Sequence, residues 1–97
     1  MDIENELELY RPSKTIDRVD NNSDISVGLN RARIYFKNGH ELSIIRGTGS
    51  YGVEVGLFEI MPSDEKFIDK DDYENGAVVG YLTPERVKYY IDKIGNL

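Results

Sequence analysis

Hydrophobic and polar positions change period along this chain, and the changes mark its elements. Ala32-Arg33-Ile34-Tyr35-Phe36 and Leu42-Ser43-Ile44-Ile45-Arg46 are two β-rich runs around Asn38-Gly39, which predicts a hairpin. Parity decides the loop length. A two-residue Asn-Gly turn sets Phe36 opposite Glu41 and Ile34 opposite Ser43, mixing both faces. An odd loop places Ala32, Ile34, Phe36, Leu42 and Ile44 on one face, with Arg33, Tyr35, Glu41 and Ser43 on the other. The expectation is a three-residue loop, Lys37-Asn38-Gly39, with Gly39 left-handed at a bulge. Leu57-Phe58-Glu59-Ile60-Met61 reads as a third strand ended by Pro62, which has no ladder donor. After an Asn75-Gly76 turn, Ala77-Val78-Val79-Gly80-Tyr81 reads as a short fourth strand.

The period then becomes helical. Thr83 is a good N-cap and Pro84 suits the first helical position, where its missing N–H is not needed. Leu82 and Val87 occupy the two positions of a hydrophobic staple. Val87, Tyr90, Ile91 and Ile94 follow i, i+3, i+4, i+7 spacing and form one apolar stripe, with Arg86, Lys88, Asp92 and Lys93 off it. Gly95 is placed to stop the helix. The fold class expected is α+β: a small antiparallel sheet of three to four strands packed against one C-terminal helix.

Residues 1–28 are more polar. Ile3, Leu7 and Tyr10 have helical spacing, while Leu7 and Leu9 alternate with Glu6 and Glu8 as in a strand, so the type stays open. Asp20-Asn21-Asn22-Ser23-Asp24 reads as a loop. This stretch is expected to be an arm that packs on the body or hangs from it. The body begins near Ile25 and forms one domain over residues 29–97.

Composition narrows the setting. The chain has 97 residues, 39% hydrophobic and 31% charged, enough for one modest core. It holds no cysteine, so disulfides and thiolate metal sites are excluded and a reducing, cytoplasmic compartment is expected. Met1-Asp2-Ile3-Glu4-Asn5-Glu6 is acidic and lacks the apolar stretch of a secretory signal, and no run is long enough for a membrane span. Net charge is −6. That charge opposes encounter with nucleic acid, for which the scattered Arg31, Arg33, Lys37 and Arg46 offer the nearest thing to a basic stripe.

Candidate chemistry is sparse. The glycine-rich segment 46–52 has N–H groups able to cradle an anion, with Arg46, Ser50 and Tyr51 as side-chain donors, but it lacks the P-loop spacing and no helix follows it. The plainer expectation is a hairpin connection whose glycines permit tight turns. The same residue types, with Arg33 and Tyr35, suit a protein interface. Asp64, Glu65, Asp69, Asp71, Asp72 and Glu74 lie against Lys66 and Lys70, yet both calcium-loop registers fail, so a solvated acidic loop is expected and no metal or other cofactor. His40 is the sole histidine, expected exposed beside the turn, and no nucleophile elbow accompanies it. Of the seven tyrosines, Tyr90 is expected in the core and Tyr35, Tyr51, Tyr73 and Tyr89 toward the surface. No catalytic set emerges.

One ordered set of motifs adds to this. Phe36-x-Asn38-Gly39, Ser43-Ile44-Ile45-Arg46-Gly47, Gly49-Ser50-Tyr51-Gly52, Gly56-Leu57-Phe58-Glu59-Ile60 and Val79-Gly80-Tyr81-Leu82-Thr83 follow one another. In this the chain resembles a family of small hypothetical proteins of tailed bacteriophages and prophages, over residues 32–97. Val53-Glu54-Val55 departs from the second glycine expected after Tyr51-Gly52. The resemblance implies a phage origin and a host-cytoplasmic setting, and brings no catalytic residues with it. The leading expectation is a small phage accessory protein that binds a host or phage protein, one concrete form being a counter-defence inhibitor of the anti-CRISPR type. The alternatives are a nucleotide or other small-ligand sponge, and a virion or assembly component.

Overall fold

A computed structural model describes residues 3–9, 13–24, 26, 28–76 and 78–97, with residues 73–75 as backbone only; the expectations placed on Met1, Asp2, Tyr10, Ile25 and Ala77 fall outside it. The elements run α1 (Ile3–Glu6), β1 (Ile16–Asn21), β2 (Leu29–Phe36), β3 (Glu41–Gly47), β4 (Phe58–Pro62), β5 (Tyr73–Asn75), β6 (Val78–Leu82) and α2 (Pro84–Gly95). All the strand pairs are antiparallel, in the order β1-β2-β3-β4-β6-β5. The class is α+β with a C-terminal helix. The strand count needs correction from three or four to six. The added strands, β1 and β5, are the two edges. β5 is only three residues long, and β1 is rich in Asp and Arg, a composition that suits an edge and hides it from a hydrophobicity search.

The central hairpin follows parity. Tyr35 pairs with Glu41, Ile34 with Leu42 and Ala32 with Ile44. Phe36 N–H donates to His40 C=O at 2.9 Å, Gly39 N–H to Phe36 C=O at 3.0 Å, and Gly39 takes φ +92°. Residues 37–39 are therefore the three-residue loop, and Ala32, Ile34, Phe36, Leu42 and Ile44 are all buried. They form one core with Phe58, Ile60, Val79 and Leu82 from the sheet and Val87, Tyr90, Ile91 and Ile94 from α2.

Residues of the expected arm join the same body. Ile3 and Leu7, one helical turn apart, are buried in that core, and β1 pairs with β2. Of the two competing patterns the helical one holds, over Ile3–Glu6, and Leu7–Leu9 form a turn, not a strand; the strand Ile16–Asn21 takes in Asp20 and Asn21 of the expected loop. Among the described residues no helix is long and apolar enough to cross a membrane.

Helix α2 begins as its sequence implies, with Thr83 Oγ1 accepting from Arg86 N–H at 3.2 Å and Leu82 and Val87 both buried. Its end requires a correction. Gly95 lies inside the helix, and the cap is Asn96 at φ −99°, so no left-handed glycine stops it. Gly95 is a packing position instead: an added Cβ would stand 2.8 Å from the Thr15 Cβ and 3.2 Å from the Phe36 ring. The hairpin turn caps the helix from outside, its Asn38 amide donating to Ile94 C=O at 2.8 Å. Alanine at 95 favours a helix by about 1 kcal/mol over glycine, yet overpacking costs about 1–3 kcal/mol. Gly95→Ala should therefore lower the urea midpoint, reversing the sign that helix propensity alone gives.

Candidate functional site

Both helices lie on one side of the sheet, where the buried residues are. The opposite side has no helix over it among the described residues. Strand alternation assigns its residues. Arg31 and Arg33 project from β2, beside Asp20 and Arg18 of β1 and Ser43 and Ile45 of β3. Met61 and Glu59 of β4 continue the row, opposite Ser43 and Ile45. A depression of about 390 Å³ lies here, with Arg31, Arg33, Ile45, Glu59, Met61 and Val78 in its lining. Its apolar members, Ile45 and Val78, are half-buried, and Met61 is 43% exposed.

The residues singled out in the sequence divide between two faces. Arg33 lines the depression and donates to Glu41 at 3.1 Å. Tyr35 shares that face, half-buried, with the Arg18 guanidinium 3.9 Å above its ring. Tyr51 stands at the rim: its N–H donates to the Glu59 carboxylate at 3.0 Å, and its side chain lies over Gly80, where an added Cβ would collide with it. Arg46 belongs to the other face. It shares parity with Leu42 and Ile44, lies 4.5 Å over the Phe58 ring, and pairs with Glu6 at 2.5 Å. Glu6 Oε2 is buried without an aligned hydrogen bond, so the Arg46 charge is what compensates it. This pair ties α1 to the sheet.

Ser50 is buried and turned inward. Its hydroxyl donates to Gly47 C=O at 2.8 Å and accepts from Gly47 N–H at 3.0 Å. Gly49 and Gly52, at φ +89° and +100°, give the loop its left-handed turns. Arg46 and Ser50 thus hold the fold together, while Arg33 and Tyr35 stand on the open face and Tyr51 lies at its far end, beside Glu59 and Gly80.

Sequence reasoning missed Arg31, Ile45, Glu59 and Met61 as one surface. The signal was available: extending the hairpin parity across the Ser43–Met61 and Ile45–Glu59 pairs collects them. It also missed Tyr81. Glu59 faces both Gly80 and Tyr81 across a bulge, and Tyr81 takes φ +59° while 44% exposed, a costly conformation for a bulky residue. His40, expected exposed, is half-buried with its ring edge-on to Phe67 at 4.8 Å.

The acidic connection is likewise corrected. Asp69 and Asp72 are bound to α2 rather than solvated. Asp69 accepts from Lys93 at 2.6 Å, Tyr89 at 2.6 Å and Arg86 at 2.7 Å. Asp72 takes a forked pair of bonds from Arg86 at 2.9–3.1 Å and the Tyr90 hydroxyl proton, while that hydroxyl accepts from Asp69 N–H at 3.0 Å. Hydrogen bonds from Lys93 and Tyr89, with the positive charge of Lys93, hold the Asp69 carboxyl down at about 2. Burial and the Asp72 carboxylate push the Tyr90 phenol up. Each charge in the cluster has an opposite partner, so it fastens residues 64–72 to the helix. Phe67 is part of that attachment, buried in the core.

A carboxyl depressed in the folded state contributes stability above its unfolded value, 3.8, and loses it as pH falls toward about 2. Wild-type stability should accordingly decline through that window. Asp69→Asn should be weaker at pH 7 by about 1–3 kcal/mol, having lost hydrogen bonds to charged groups, and should show a shallower acid limb in denaturant titrations at successive pH values. Comparisons of the chain with family models, with curated proteins and with solved structures find no match, so function is argued from this surface alone.

Proposed function

We propose that this chain is a small phage accessory protein that acts by binding another protein, not by catalysis, and that the open sheet face is its docking surface. One observation carries the reading. That face lines one depression with half-buried Ile45 and Val78 and exposed Met61, interleaved with Arg31, Arg33, Ser43 and Glu59. Exposed apolar side chains beside arginine anchors are what a protein interface uses. The concrete form we propose is a counter-defence inhibitor working in the host cytoplasm. The net charge of −6 supports it, because Glu54, Glu65 and Asp71 are exposed and would face a basic nucleic-acid channel.

The size of the depression favours a second reading, a small anionic ligand. About 390 Å³ lies within the range of small-molecule sites, and two arginines line it. The glycine-rich loop has less claim to that role, since Arg46 and Ser50 are bonded within the fold.

Tagged chain used as bait in phage-infected cells should retain a stoichiometric protein partner. Met61→Asp and Arg33→Glu should release it, whereas Glu85→Lys on α2 should keep it. Retention by all three variants removes the open face from the interface. Thermal melting against a nucleotide panel separates the second reading: a ligand at one hundred times its Kd stabilises by about 2.7 kcal/mol, a rise of several degrees that Arg31→Ala should erase. A flat panel retires it.

A further inference from the structure

If the open face is the docking surface, its charges state what kind of segment docks there. Almost every described arginine has a carboxylate. Arg18 lies 3.4 Å from Asp20, Arg33 3.1 Å from Glu41, Arg46 2.5 Å from Glu6, and Arg86 2.7 and 2.9 Å from Asp69 and Asp72. Arg31 is exposed and has none among the described residues, in a chain with 18 acidic and 12 basic side chains. The one described arginine without a carboxylate among the described residues therefore stands on the open face, two residues from Arg33.

Residues two apart on a strand share a face and repeat about every 6.5–7 Å. An incoming extended segment has the same repeat, so carboxylates two residues apart on it match Arg31 and Arg33 without distortion. The guanidinium forks suit carboxylates in particular. The Arg33–Glu41 pair does not block this match, since both side chains are about 40% exposed and such a pair is weak. Ile45, Met61 and Val78 lie in the same depression and offer an apolar floor.

We propose that the open face takes an extended acidic segment of a partner protein, with carboxylates two residues apart on Arg31 and Arg33 and an apolar side chain against Ile45, Met61 and Val78. Single-stranded nucleic acid also carries spaced negative charge, but the face argues against it. The Tyr35 ring, which a base would need for stacking, has the Arg18 guanidinium 3.9 Å above it.

Selection of displayed random twelve-residue peptides against the full chain should enrich acidic residues two apart beside an aliphatic or aromatic one. A synthetic peptide from that pool should bind in fluorescence anisotropy. Arg31→Glu should weaken it about tenfold or more, with unchanged circular dichroism. A peptide with lysine in place of the matched acid should bind Arg31→Glu better than wild type, which a merely structural arginine would not produce. Enriched peptides without that spacing, indifference to Arg31→Glu, or tighter arginine-dependent binding of a twelve-nucleotide single-stranded DNA probe would each overturn the proposal. The docking reading fails separately: partner capture surviving Met61→Asp sinks it, whereas capture lost with Met61→Asp but untouched by Arg31→Glu sinks only the acidic segment.

Discussion

The whole arrangement depends on the three-residue turn at residues 37–39. A slip of one residue in the β2–β3 register would turn Ile34, Phe36 and Ile44 out and Arg33, Tyr35 and Ser43 in. The turn does more than count residues. Its Asn38 side chain accepts from His40 N–H at 3.0 Å and donates to Ile94 C=O at 2.8 Å, closing the bulge on one side and the C-terminal turn of α2 on the other. Register of the sheet and seating of the helix are set at one point. Gly95 belongs to the same junction, because only a residue without Cβ lets α2 lie this close to Thr15 and Phe36.

Helix α2 is used on more than its apolar stripe. The stripe enters the core, while Arg86, Tyr89 and Lys93 on its flank receive Asp69 and Asp72. The connection between β4 and β5 is thus held by ionic contacts on the helix and by Phe67 below. An acidic stretch whose composition suits solvent is, in space, the counter-charge of a basic helix flank. Breaking one member would leave a partly buried charge without its partner, which costs more than the pair itself gains.

What the sequence discloses and what it conceals follow from range. The hairpin, the capped helix and its stripe are legible because their signals are local: period two, period 3.6, Thr83 before Pro84. Strand β1 is not, since Ile16-Asp17-Arg18-Val19-Asp20-Asn21 needs only one side of its backbone paired and carries charges that keep the other side from associating. Arg46 and Ser50 were grouped with Arg33 and Tyr35 by residue type, although counting in twos from Leu42 sends Arg46 to the helix side. The inward hydroxyl of Ser50 and the packing role of Gly95 rest on contacts that no spacing rule contains. The charge network on α2 joins residues about twenty positions apart, beyond the reach of periodicity.

The rim of the open face shows how the fold treats that surface. Tyr81 occupies a left-handed conformation at the β6 bulge, a strain of about 1–3 kcal/mol that persists only where the surroundings enforce it. The enforcement is visible: a Cβ at Gly80 would collide with the Tyr51 side chain, one at Gly52 would press on the Tyr81 backbone at 3.0 Å, and Tyr51 N–H engages Glu59. The consequence is electrostatic as well as steric. With Glu59 held toward the loop and Glu41 on Arg33, the acids that β3 and β4 present on this face are engaged elsewhere, and neither is turned to Arg31. Stability alone does not require that pattern, since an acid turned to Arg31 would satisfy the arginine at little cost. If the face is the docking surface we propose, a strained Tyr81 on one side of it and, on the other, an arginine with no carboxylate among the described residues are what an occupant would use.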